Sequence, residues 1–141
     1  MTQTITDSRI RPARARRARR ACTLIAAALF ALAVWTISSP ILGIDVAAGT
    51  GPTAQNIGPL AVAIVSIIAG GAAWALLALL EKAGTTGRRI WQTIGWLFLA
   101  LSLIGPLTMA TSAGALITLL TMHLVVGVTL LLGLVSTGRN A

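Results

Sequence analysis

Apolar residues in this chain do not alternate with polar ones at the spacing of two that a half-buried strand needs, nor do they mark one stripe of an otherwise wet helix. They come in unbroken runs instead. Four runs, at about 21–40, 60–80, 90–107 and 113–135, reach or approach the length that spans ~30 Å of hydrocarbon at ~1.5 Å per residue. A backbone in lipid has to satisfy its own hydrogen bonds, which a helix does within one segment. The pattern therefore predicts an all-α polytopic membrane protein, with four transmembrane helices in an up-and-down bundle.

Between the runs lie breakers. "SSPILGIDVAAGTGPTAQNIGP" and "GPLTMATSAG" join the first two and the last two spans with Gly, Pro and Ser, whereas "EKAGTTGRR" joins the middle pair with charge. The organisation expected is a basic N-terminal tail (1–20), a four-helix membrane domain (21–136) and a short C-terminal tail (137–141). Composition agrees with it. The chain is 56% hydrophobic and only 10% charged, with a mean hydropathy of +0.89, against about 25% charged for soluble domains.

Charge then orients the bundle. Of 11 Lys and Arg residues, seven precede the first run, Lys82, Arg88 and Arg89 lie between the second and third, and Arg139 follows the fourth. With an even number of spans these regions share one side. The positive-inside rule makes that side the cytoplasm, so both termini are expected inside and the location is a bacterial cytoplasmic membrane. Arg9, Arg11, Arg14, Arg16, Arg17, Arg19, Arg20, Lys82, Arg88 and Arg89 are read as topology signals in contact with anionic headgroups. Pro12 is expected to interrupt any helix in the arm. A nucleic-acid partner is not expected, because the arm ends one residue before a span. The first run is longer than a signal peptide's core and lacks a cleavage pattern at its outer end, so it is read as retained.

Candidate chemistry is sparse. A single cysteine, Cys22, cannot form an internal disulfide, and a single histidine, His123, cannot supply two axial imidazoles to a haem. No cofactor or metal is expected. His123 falls near mid-membrane on a face shared with Leu116, Leu120 and Gly127, and counting from the span ends sets Gly70 and Gly71 at about its depth. An ionisable residue there marks a candidate functional site, against the plainer reading of an interhelical packing residue bonded to a carbonyl or hydroxyl. Asp45 is the acidic residue of the first outer loop. Its ordinary role is a solvated turn residue; the sharper alternative folds its apolar segment over the bundle mouth and brings Asp45 toward an opening leading to His123. Glu81 is expected to pair with Lys82, Arg88 or Arg89 at the surface. Trp91 and Trp35 are assigned to the two interfaces, and Trp74 and Trp96 to packing.

Through "ILGIDVAAGTG", "WALLALLEKAG", "LIGPLTMATSAG" and "MHLVVGVTLLLGL" the chain resembles a family of small bacterial membrane proteins of unknown function, mostly from high-GC Gram-positive organisms. The resemblance covers roughly residues 20–136 and rests on Asp45, the Gly105–Pro106 turn, and His123 with Gly127. It implies four spans and a cytoplasmic membrane location, and no activity. The function expected is that of a non-enzymatic accessory or interaction protein, with a membrane-protein partner or a second copy as its associate. The alternative is a small oligomeric transporter or proton-coupled permease using His123.

Overall fold

The computed structural model describes residues 4–136. The expected tail 137–141, with Arg139, lies outside the described residues, as do the side chains of Arg9 and Arg11. Four helices are long and apolar enough to cross a membrane: Arg14–Ile41, Pro59–Ala83, Thr86–Met109 and Ala113–Ser136.

Helix α1 (Thr4–Thr36) begins within the arginine arm and runs straight into the first span. Pro12 does not interrupt it. A proline withdraws one N–H, and outside the apolar run water can take the released carbonyl. At 33 residues α1 is about 50 Å long, so roughly 20 Å of it extends beyond ~30 Å of hydrocarbon. Its far end loosens where Pro40 supplies no donor: Ile37–Ile41 widens into a π-helical turn. There Leu42 N–H reaches the Ile37 carbonyl at 3.0 Å, and Gly43, at φ +66°, ends the helix.

The next segment folds back over that end of the bundle. Strands β1 (Ala47–Ala48) and β2 (Gln55–Asn56) pair antiparallel around a 3₁₀ turn at Gly51–Thr53. Ala48 also bridges to Ala110, and the Gly49 N–H donates to the Met109 carbonyl at 2.9 Å. The two connections at this end thus form one small cap, with Val46 and Ala47 buried beneath it.

Helix α2 (Pro59–Leu80) starts with proline at a position where a missing N–H costs nothing. After a 3₁₀ turn at Glu81–Ala83, α3 (Gly84–Ser102) returns and continues as α4 (Ile104–Met109). Gly105 and Pro106, read both as the end of the third run and as the start of the connection after it, lie inside this continuation. Pro106 cannot bond the Ser102 carbonyl, so the helix breaks at Leu103, whose N–H shifts to the Ala100 carbonyl at 3.3 Å, and then resumes. Pro106 is buried, and packing carries the kinked helix onward. Helix α5 (Ala113–Ser136) closes the bundle.

Helix α1 packs on α2 and α5, and α3 packs on the same two, giving an up-and-down square. The core nearer the α2–α3 turn holds Ala27, Leu77, Trp91, Leu99, Leu130, Leu131 and Leu134; a smaller one toward the cap holds Ala31, Val62 and Met122. Glycines set the α3–α5 seam. Gly95 leaves no room for a Cβ beside Leu131, and Gly127 leaves none beside Leu99, so each helix offers a notch to the other's leucine four residues along. Ile41, Leu60, Phe98 and Leu107 among others face outward. An exterior this apolar is suited to lipid rather than water.

Candidate functional site

At the α2–α3 turn the bundle carries its charge. Arg20 on α1 donates to Glu81 in an ion pair, and Arg88 on α3 stands 4.0 Å from the same carboxylate oxygen. Side-chain exposure falls from 32% at Arg88 and 21% at Glu81 to 5% at Arg20. Arg20, counted with the lipid-facing arginines on sequence, is turned into the protein. Its spacing to Leu24, Ala27 and Ala31 explains why: steps of four, three and four put all of them on one face, and Ala27 and Ala31 are core residues. That spacing was readable in the sequence. It was obscured because the surrounding arginines made Arg20 look like one more member of a charged run.

Glu81 sits just beyond the last turn of α2, where the helix dipole disfavours a carboxylate. Arg20 and Arg88 supply the compensation, while Lys82 and Arg89 stay exposed. The turn is tight enough to bring these groups together because Gly84 adopts φ +69° and Gly87 lies directly against the Leu80 carbonyl, where a Cβ has no space.

His123 lies about 15 Å along α5 from Ala113. Its ring is half-buried, and Nδ1–H donates to the Leu119 carbonyl, 2.8 Å away and one turn back on the same helix. Gly127, one turn further, receives Leu99 and so allows α3 to approach. Gly70 does not share this level. A Cβ there would meet Leu24 at 2.9 Å and Leu130 at 3.3 Å, and Leu130 is two turns beyond His123. The count from span ends misplaces it because the cap occupies the space above the start of α2, which sits deeper than the start of α5. Gly71 faces open space. A shallow apolar groove lined by Phe30, Leu124, Val125, Val128 and Thr129 lies along α1 and α5, and His123 is not among its lining residues.

At the cap, the segment around Asp45 does fold over the bundle, yet Asp45 itself is exposed and directed away from the buried side. Four contacts hold the cap. Trp35 Nε1–H donates to the Ile57 carbonyl at 2.7 Å, the Ile57 N–H donates to the Val46 carbonyl at 2.8 Å, the Thr111 hydroxyl donates to the Ala47 carbonyl at 3.3 Å, and Ile44 seats on Gly114. The other tryptophans divide differently from expectation. Trp91 lies near the α2–α3 turn but points inward, its Nε1–H on the Ala73 carbonyl at 3.0 Å, whereas Trp96 faces outward at 49% exposure. Trp74 packs against the core as expected.

A family model covers residues 11–140. The chain belongs to DUF6069, a family of unknown function. No curated protein and no solved structure matches it. The matched range takes in every candidate residue of this DUF6069 chain except Arg9. Among the described residues, no three His, Cys, Asp or Glu side chains are grouped to hold a metal ion. What the arrangement of this DUF6069 chain offers chemically is a fixed charge cluster at one end, a cap held by hydrogen bonds to backbone carbonyls at the other, and one imidazole between them.

Proposed function

We propose that this chain is a non-enzymatic multi-pass protein of a bacterial cytoplasmic membrane, oriented with both termini inside, that acts as an accessory or interaction subunit. The observation carrying this reading is how the interior is filled. Leucine side chains occupy glycine notches across α3 and α5, Trp91 closes the space beside α2, and the cap covers the mouth, so at these described contacts the space between the helices is taken up by packing. Orientation is supported by the clustering of α1's arginines and the α2–α3 turn at one end, through Arg20, Glu81 and Arg88. Anionic headgroups are the lipid contacts proposed for that end.

Transport by an oligomer using His123 is the second reading, and one observation favours it. The imidazole is half-buried at mid-span, and its Nε2 has no hydrogen-bond partner among the described residues. Extraction of the tagged chain in mild detergent separates the two. A stoichiometric membrane-protein partner is the expected result; a lone homo-oligomer whose reconstitution gives an ion flux lost on His123→Ala would replace the accessory reading with transport.

A further inference from the structure

Among the residues whose side chains are described, Glu81 is the one acidic group at this end of the bundle, the side chain of Asp7 lying outside them, and it is engaged by buried Arg20. The cations around it are therefore left with little opposing charge. Arg16 and Arg17 lie one turn before Arg20, on the face that Arg20 turns toward Glu81, and both are exposed. Lys82 is exposed on the turn, and Arg88 reaches Glu81 only at 4.0 Å with a third of its side chain open. Its guanidinium fork retains donors in the planar geometry that suits a phosphate.

We propose that this cluster seats the phosphate of an anionic phospholipid, held between Arg88 on α3 and Arg16 and Arg17 on α1, above the Arg20–Glu81 pair. The inference rests on the membrane reading given above and adds a defined site to it. Arg20 has two effects here. It neutralises the carboxylate that would repel a phosphate, and it fixes α1 beside the α2–α3 turn so that arginines from two helices face one point. Depth selects a lipid rather than a free anion. Arg20 immediately precedes the apolar run that starts at Ala21, which sets the cluster at the headgroup layer.

The site differs from a general attraction of the arm for a negative surface. Arg9 and Arg11 are about 11 and 8 Å from Arg16 along the helix, at or beyond the ~8 Å over which exposed charges act at physiological salt. Removing them deletes as much charge as removing Arg16 and Arg17, but from the wrong place.

The full chain, delipidated in detergent and titrated with phosphatidylglycerol, is followed by native mass spectrometry, with phosphatidylcholine as the zwitterionic control. Arg16→Ala with Arg17→Ala is expected to weaken phosphatidylglycerol retention about 25-fold, at roughly fivefold for each arginine. Arg88→Lys keeps the charge but loses the fork, and is expected to weaken retention about fivefold. Arg9→Ala with Arg11→Ala should stay within about twofold of the parent chain. Equal losses for the two double variants, equal retention of both lipids, or displacement by millimolar inorganic phosphate would each overturn the site. Extraction of the chain from membranes by alkaline carbonate would overturn the membrane reading instead.

Discussion

The two ends of the bundle solve the same problem with different interactions. Each has to hold helix termini together where the hydrophobic core runs out. At the α2–α3 turn, charge does it: Arg20 and Arg88 converge on Glu81 from two helices. At the cap there is no ion pair among the described residues, and backbone groups do it through the β1–β2 pairing, the Ala48–Ala110 bridge and the bonds to the Ile57 and Met109 carbonyls. Connection length accounts for the difference. The turn between α2 and α3 is too short to form backbone pairs across the bundle, so side chains must reach. The first outer connection is long enough to bring its own backbone to the second.

The sharpest way to break this comparison is to remove the carboxylate. Glu81→Ala takes from buried Arg20 the carboxylate it donates to, and loss of one member of a buried pair costs about 3–5 kcal/mol. Equilibrium unfolding in mixed micelles measures it. Replacing both partners, Glu81→Leu with Arg20→Leu, should recover most of that loss, because the pair's own net contribution is small beside the penalty of removing one member alone. If Glu81→Ala unfolded like the parent chain, the charge cluster would not be what holds this end.

Glycine substitutions sharpen the contrast at intermediate size. Gly87→Ala drives a Cβ into the Leu80 carbonyl, a backbone atom that moves only if the turn opens, and about 3 kcal/mol is expected from overpacking. Gly127→Ala meets the end of the Leu99 side chain, which can change rotamer, and about 1 kcal/mol is expected. Unfolding of the two variants under identical conditions gives the order. The reverse order would place the bundle's rigidity in the α3–α5 seam rather than in the turn.

What could be read in advance follows from the length scale of each signal. Four spans were legible because a run of some twenty apolar residues has no rival explanation, and the grouping of basic residues at one end followed from counting charges. The kink at Leu103 was not, since Gly105 and Pro106 mean a turn in water but are tolerated within a membrane helix when neighbours hold it. Nor was the cap. Its strands are two residues each, too short to show alternation, and their partner Ala110 lies more than fifty residues away. Trp91 and Trp96 exchanged roles because position along a helix gives depth, whereas rotation about the axis decides which ring meets the core. His123 and Gly127 stand one turn apart on α5, but Gly70 packs against Leu130, two turns from His123, because counting from span ends assumes that all spans begin at one height.

The smallest expected effect tests whether the ends are independent. Trp35→Phe retains the ring but removes the N–H that donates to the Ile57 carbonyl, and a single neutral hydrogen bond contributes about 0.5–1.5 kcal/mol. Hydrogen exchange is the suitable measurement, because a loss that small need not move global unfolding. The amides of Gly49 and Ile57, bonded to Met109 and Val46, should exchange faster as the cap loosens, while amides at 81–88 keep their protection. A matching rise at 81–88 would mean that cap and charge cluster open as one cooperative unit. The difference between the ends would then be one of chemistry alone, with the packed helices between them transmitting every local opening.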